Sequence, residues 1–537
     1  MKAIGLVGGI KEKPNTSDEF YFWIPLWEKS LAIGSIIKVV SGNRVVFGVI
    51  DGMQSYSDAR DFIFFQLSRG GDPELTPPNK EQSIIVAKGK VLKQDIDRPL
   101  IDGRVYYPSI KELGSILTFE GCNIPLGTFS NTDGNVIPVM VDEKYLLGHE
   151  GAHLNISGMS GLGTKTSAFL FILNSILTHS NSRVACIMFN IKSDDLLHIN
   201  KNSDILEETD DKIYSTCNVE PSGFEARFFA PPTVLNEPNS LKKDCETFRW
   251  GYHEIKEFIP DLLNAGDQDK QDKLDTAYST LLKMADYKGV QSFSDLLDFM
   301  QEEFVGNSKL GNELVCGSYT ATWKKLYNQL QGMLSRKYGA LITGYQDEVL
   351  ELPYQDLNHN DVWVIDLQKL GFYSRQLVFK KVISEFKSRL ESKNIRVDKI
   401  ILFMDELNKY APSFHSTNVS SLKSMLIDVS ARGRSIGFSL FGAEQFKSRI
   451  DSNILGNTCT DIYGKTKESE LMDPIYKWIS DDVKGKIKRL NKNDKLLDHE
   501  LFEAPIFINL PRPPCKLGSD VISDNIGEER LILPELK

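Results

Sequence analysis

Between the apolar run His153 to Ile156 and a second apolar run opening at Ala168 lies Ser157-Gly158-Met159-Ser160-Gly161-Leu162-Gly163-Thr164-Lys165-Thr166-Ser167. A short apolar segment, a glycine-rich turn and an apolar helix in that order describe a buried strand running through a tight loop into a helix N-terminus. Such a junction aims several backbone N–H groups and the positive end of a helix dipole at one point, which cradles phosphate. A lysine adds charge and a hydroxyl holds Mg2+. The candidate nucleotide-binding residues are therefore Gly158, Gly161, Gly163, Thr164, Lys165, Thr166 and Ser167, with Thr166 as the metal-facing hydroxyl. The spacing GxxxxGK[ST] puts lysine directly after the second glycine. Here Thr164 stands after Gly163 and Lys165 comes one later. Either one residue is inserted, or the eight-residue loop starts at Met159 with two glycines replaced.

A phosphate loop of this kind needs a parallel sheet behind it, and beyond residue 150 apolar strands alternate with longer helical patterns, as in an α/β domain. Expected buried strands are His153 to Ile156, Val184 to Ile191, Val362 to Leu367, Lys399 to Met404 and Gly437 to Phe441. The fourth runs into Asp405-Glu406. Asp405 at a strand end can hold the water shell of Mg2+, and Glu406 can polarise the water that attacks a γ-phosphate. The fifth leads to Glu444-Gln445, which places Gln445 to sense that phosphate. Just before it stand Arg432 and Arg434, separated by Gly433. An oligomeric ATPase needs a guanidinium delivered across its interface to neutralise transition-state charge. The expected catalytic set is Glu406, Arg434, Arg432 and Gln445, the metal ligands are Thr166 and Asp405, and the cofactors are ATP and Mg2+.

At 537 residues the chain exceeds a single domain, and its 41% hydrophobic and 25% charged content excludes a mainly disordered or fibrous protein. Short β-rich runs such as Ser35 to Val40, Arg44 to Ile50 and Ser83 to Leu92 fill the first 146 residues and suggest a small barrel or sandwich. Residues 147–235 and 351–500 read as two parts of one α/β core. Between them, 236–350 carries the amphipathic pattern Tyr278, Leu281, Leu282, Ala285 and reads as a helical insertion. Pro505, Pro511, Pro513 and Pro514 make 501–537 an extended arm. The longest apolar stretch, Ala168 to Leu177, is half the length that a bilayer requires, and no secretory signal opens the sequence, so a cytoplasmic location is expected. Scattered cysteines without a CxxC pair fit reduced thiols. A net charge of −10 leaves nucleic acid only local basic surfaces, for which 375–399, with eight basic and three acidic side chains, and 484–495, with six and one, are the candidates.

Together these residues resemble the HerA family of hexameric ATPases in the HerA/FtsK group of P-loop translocases. Ser157 to Ser167 is similar to its Walker A apart from Thr164. Asp405-Glu406-Leu407 with Tyr410-Ala411-Pro412 resembles its Walker B region, and Gly433-Arg434 with Gln445 its arginine and glutamine motifs. The N-terminal β segment looks like the family's HAS-barrel, and Leu510-Pro511-Arg512-Pro513-Pro514 like the tail that runs over a neighbouring subunit. The resemblance implies a RecA-like P-loop core with a helical insertion behind an N-terminal β-barrel. It further implies a homohexamer that translocates double-stranded DNA, and a separate effector docked on the barrel, either a nuclease or a sirtuin-like NAD-consuming enzyme. The setting would be antiphage defence or DNA-end processing. An alternative of another class is a nucleotide-binding ring that organises an effector while translocating nothing.

Overall fold

The computed structural model describes residues 2–57, 70, 72, 83–159, 164–192, 194–263, 268–306, 313–334, 339–414 and 420–518. The N-terminal strands β1 (Gly5–Val7), β2 (Glu19–Ile24), β3 (Ile36–Ser41), β4 (Arg44–Ser57), β5 (Ser83–Gln94) and β6 (Arg104–Tyr106) close an antiparallel barrel in the order β1-β2-β5-β4-β3-β6. Alternation along β2 sends Phe20, Phe22 and Ile24 inside, where they meet Val39, Val46 and Val105. The Phe20 ring needs the space left by Gly89, since a Cβ there would lie 2.5 Å from Phe20 Cζ. A two-residue turn joins β3 to β4, with Ser41 opposite Arg44 and Gly42 at φ 59°.

The barrel closes at Tyr106, forty residues short of the boundary expected at 146. The segment beyond it forms β7 (Ile124–Ser130) and β8 (Val136–Val141), which belong to a second, 12-stranded sheet. Its other strands are β9 (Leu154–Ser157), β10 (Val184–Asn190), β11 (Ala226–Ala230), β12 (Glu246–Thr247), β15 (Val362–Asp366), β16 (Lys399–Asp405), β17 (Phe438–Glu444), β18 (Thr460–Tyr463), β19 (Asp494–His499) and β20 (Ile506–Asn509). The strands β13 (Leu314–Val315) and β14 (Ser318–Tyr319) pair only with each other. The sheet order is β12-β11-β15-β10-β16-β17-β9-β18-β19-β20-β7-β8. It is parallel from β12 to β18 and antiparallel from there on. Helices cover the parallel part, which is why its central strands are buried along their whole length. The chain is thus an α/β protein with a largely parallel, helix-covered sheet and an N-terminal β-barrel.

Of the arm expected over 501–537, residues 519–537 lie outside the described residues, and its first part contributes β20, a sheet strand clasped between β19 and β7. Its proline-rich continuation lies on its own chain rather than leading away from it. The Tyr214 hydroxyl donates to the Arg512 carbonyl at 2.8 Å, the Arg512 N–H donates to Asp210 Oδ1 at 3.0 Å, and Leu510 and Cys515 are buried. The 236–350 segment carries the helices Gln268–Lys288, Phe293–Met300 and Thr320–Met333. It packs into the α/β domain, where Trp250, Tyr278 and Trp323 share one apolar core with Phe189, Trp363 and Phe379 of the sheet layer. Among the described residues no helix is long and apolar enough to cross a membrane.

Candidate functional site

The parallel order β10-β16-β17-β9 brings the C-terminal ends of four strands to one sheet edge. Pairing fixes the alignment there: Asp405 on β16 is opposite Ala443 on β17, and Glu444 on β17 is opposite Ser157 on β9. The strand leading into the loop and the strand carrying the acids are therefore separated by the one that carries Gln445. The helix Thr164–His179 is locked over them by Phe169, whose ring stacks on Phe403 at 3.7 Å and meets Phe441 edge-on at 6.3 Å.

The start of the loop is clamped from both sides. Gly158 N–H donates to the Glu444 carbonyl at 3.2 Å, and Met159 N–H to the Lys465 carbonyl at 2.8 Å. Gly158, at φ 154°, has no room for a side chain, because a Cβ would lie 3.2 Å from Gly464 Cα. Gly161 and Gly163 fall outside the described residues. Thr164 opens the helix, and Lys165, Thr166 and Ser167 follow in its first turn. The Lys165 ammonium donates to the Gly158 carbonyl at 3.3 Å. Burial lowers its pKa, and Asp405, Glu444 and Glu406 pull in the other direction. Thr166, Asn190, Lys192, Asp195 and Asp405 line one cleft. Its hydroxyl and carboxylate oxygens are the hard donors that Mg2+ selects, in the small number it uses when phosphates complete its shell.

Glu406 has left-handed backbone angles, φ 56° and ψ 41°, a conformation that a non-glycine residue keeps only when its surroundings impose it. Its carboxylate meets two cations: Lys192 lies 2.5 Å from Glu406 Oε1, and Lys409 pairs with the other oxygen. Burial alone would raise the Glu406 pKa, but the hydrogen bonds from Lys192 and Lys409 outweigh it and hold the carboxyl below its ordinary value. Asp405 goes the opposite way, raised by burial against the pull of Lys192 and Lys165. Its Oδ1 accepts the Glu406 N–H at 2.9 Å. Glu444 is wholly buried with no hydrogen-bond partner for either oxygen among the described residues, and burial pushes its pKa up to about 8. Gln445 follows it, half-buried at the same edge.

Arg432 and Arg434 are elsewhere. Their helix, Ser420–Ile436, ends where β17 begins, so both arginines stand at the N-terminal edge of the sheet. The seven residues of β17 put about 20 Å between that edge and the loop of the same chain. Arg434 is exposed, and Arg432 is 78% exposed with Nε 3.3 Å from Asp428. The geometry therefore excludes a contact with their own chain's loop. Lys192, Lys409 and Glu444 escaped the sequence reading because isolated lysines and a strand-terminal glutamate carry no spacing signal. So did His153, which donates from Nε2 to the Ser430 carbonyl at 2.8 Å and accepts the Leu440 N–H at Nδ1, 2.9 Å away. It ties the start of the loop strand to the arginine-bearing helix.

The fold absorbs much of the first basic run, while in the second Arg489 and Lys492 stay exposed. Lys380 is buried against Asp261 at 2.7 Å, Lys381 pairs with Glu385, and Lys387 with Asp428. Arg375 donates to the Leu367 and Gln368 carbonyls. In the second run Lys495 is buried and Lys486 donates to the Ile33 carbonyl at 2.7 Å, holding the barrel to the core.

No family model matches the chain, and no curated protein does. Among solved structures it is similar to the bacterial conjugative coupling protein TrwBdeltaN70 in its unbound form, at 11% identity and a TM-score of 0.45 over 75% of this chain and 93% of that one. The same protein in complex with sulphate gives 11% and 0.45 over 76% and 95%. The genome packaging NTPase B204 from Sulfolobus turreted icosahedral virus 2, in complex with sulfate, gives 18% and 0.22 over 28% and 68%. These likenesses are loose and concern the fold alone.

Proposed function

We propose that the chain is an ATP- and Mg2+-dependent ATPase that works as a ring, in the manner of the HerA proteins its motifs resemble, and moves along duplex DNA. The observation that carries the ATPase reading is the convergence of Lys165, Thr166, Asp405, Glu406 and Gln445, from three separate stretches of sequence, on one sheet edge. Lys165 and the N–H groups at the helix start bind phosphate. Thr166 and Asp405 hold the metal, which when bound neutralises charge on the phosphates. Glu406 orients water and accepts its proton, and Gln445 reports on the terminal phosphate. The exposed arginines, too far from their own loop, serve that of the next subunit, which makes the assembly a ring, by analogy a homohexamer. The barrel, free of these motifs, is the platform for a separate effector.

A second reading, a nucleotide-binding ring that organises an effector without translocating, is favoured by one observation. Lys380, Lys381 and Lys387 of the first basic run, which would have supplied a DNA channel, are engaged by carboxylates of their own chain. Steady-state ATPase assays with and without duplex DNA separate the two. Translocation predicts Mg2+-dependent turnover that duplex DNA stimulates and that salt weakens. Lys165→Ala weakens nucleotide binding, and Glu406→Ala keeps binding but abolishes turnover. Turnover indifferent to DNA supports the scaffold, and unchanged turnover in Glu406→Ala removes it as the base.

A further inference from the structure

Lys192 follows β10, the strand on the far side of β16 from the loop strand. Its ammonium is 2.5 Å from Glu406 Oε1 and 3.8 Å from Asp405 Oδ2, and the side chain also lines the cleft shared with Thr166. The acid pair is thus flanked by two cations from opposite directions, Lys165 on the loop helix and Lys192 on the neighbouring strand. Lys165 is occupied with the Gly158 carbonyl, and Lys192 with the proposed water-orienting carboxylate. An anion entering the cleft must compete with Glu406 for Lys192. The competition is electrostatic, so the extra phosphoryl charge of a triphosphate competes better than a diphosphate does. Lys192 is 45% exposed on its strand end and can change partner without disturbing the core.

We propose that Lys192 is a terminal-phosphate sensor that holds Glu406 in the nucleotide-free chain and releases it when a triphosphate takes the ammonium. The inference rests on the ATPase reading above. It explains why a residue needed to orient water is tied to two lysines in a strained turn, since the tie keeps the carboxylate from acting until the substrate is present. Lys409, beside Glu406 on the same turn, keeps the carboxylate partnered during the exchange.

The test measures binding rather than turnover, by titration calorimetry of the full chain with Mg2+ and either a non-hydrolysable ATP analogue or ADP. Lys192→Met is expected to weaken the analogue by about tenfold or more and ADP by less than about threefold. Lys192→Arg, which keeps the charge, is expected to restore most of the difference. Glu406→Gln is expected to tighten the analogue about threefold or more where Lys192 is present, because the competing carboxylate is gone, and to have no such effect in the Lys192→Met background. A side chain that merely props the strand end would weaken both nucleotides alike and show no such coupling. Equal losses for analogue and ADP, or the same Glu406→Gln effect in both backgrounds, overturn the sensor and leave the ATPase reading standing. An unaltered protein that binds neither nucleotide overturns both.

Discussion

His153 shows how a buried side chain ties folding to pH. Its backbone is left-handed, at φ 71°, and both ring nitrogens are engaged by backbone, which fixes the neutral form with the proton on Nε2. Burial, and then the positive charge of Arg434, brings its pKa down to about 4, against a Ser430 carbonyl that pulls upward. The unfolded chain takes up that proton near 6.5, so folding stability is fully present above that value and is withdrawn as pH falls from 6.5 to 4. The shift corresponds to a loss on the order of 3 kcal/mol. His499, brought by burial to about 4, adds a loss of the same sign. Glu444, whose carboxyl burial raises to about 8, works in the other direction over the same range, so the His153 contribution is read as a difference: between pH 7 and pH 4.5 the denaturant stability of His153→Gln should fall by less, or rise by more, than that of the unaltered protein, and the variant should be less stable at pH 7. An equal change in the two proteins would remove His153 as a source. The placement of Lys165 in the first turn of a helix and of Asp405 and Glu406 at a strand end was legible in the sequence, because apolar runs and a glycine-rich turn mark those element ends. Lys192 and His153 were not, because what each does is defined by a partner more than a hundred positions away.

At the scale of elements, legibility follows burial on both faces. Val184–Asn190, Val362–Asp366 and Lys399–Asp405 are apolar throughout and were found within a residue or two. Thr460–Tyr463 is equally buried but carries Asp461, whose charge is met by Lys447 at 2.7 Å, so no apolar run announces it. Ile506–Asn509 is so framed by prolines that only its extended shape could be read, since its partner β7 lies far off in sequence. The helix Phe372–Glu391 is a sharper case, because what reads as a basic face is an anchoring one. Lys380 is buried while Asp261, its partner, is 37% exposed, and the two ends of the pair should respond unequally. Asp261→Ala leaves an ammonium buried with, among the described residues, the Ser421 hydroxyl beside it and should cost about 2 kcal/mol. Lys380→Met leaves a carboxylate that water can reach and should cost less than about 1 kcal/mol. Urea unfolding of the two variants decides the matter, and equal costs would mean that the pair is not the anchor its burial suggests. Any affinity for duplex DNA should be untouched by Lys380→Met, since that charge faces the protein interior.

The whole molecule puts its most exposed candidate guanidinium groups at the sheet edge opposite its phosphate loop, and this separation bears on assembly. A loop that requires an arginine cannot obtain Arg432 or Arg434 from its own chain across about 20 Å of strand. In a closed ring of identical subunits, the heterologous interface places one edge of each subunit against a different edge of the next, which is how such a group can be delivered. ATP turnover should then rise steeply with protein concentration around the assembly midpoint, since isolated subunits have incomplete sites. Arg434→Ala and Glu406→Ala subunits should each be inactive alone. Mixed rings should recover part of the activity, because an intact arginine from a Glu406→Ala subunit then meets an intact acid pair on an Arg434→Ala neighbour. The same experiment with Arg432→Ala ranks the two arginines; Arg432 is already engaged by Asp428 one helical turn away, so Arg434 should show the larger loss and the larger rescue. Rings shown by mass to contain both variants, yet inactive at every mixing ratio, would mean that the arginine-bearing helix serves its own subunit's architecture through His153 and not its neighbour's chemistry.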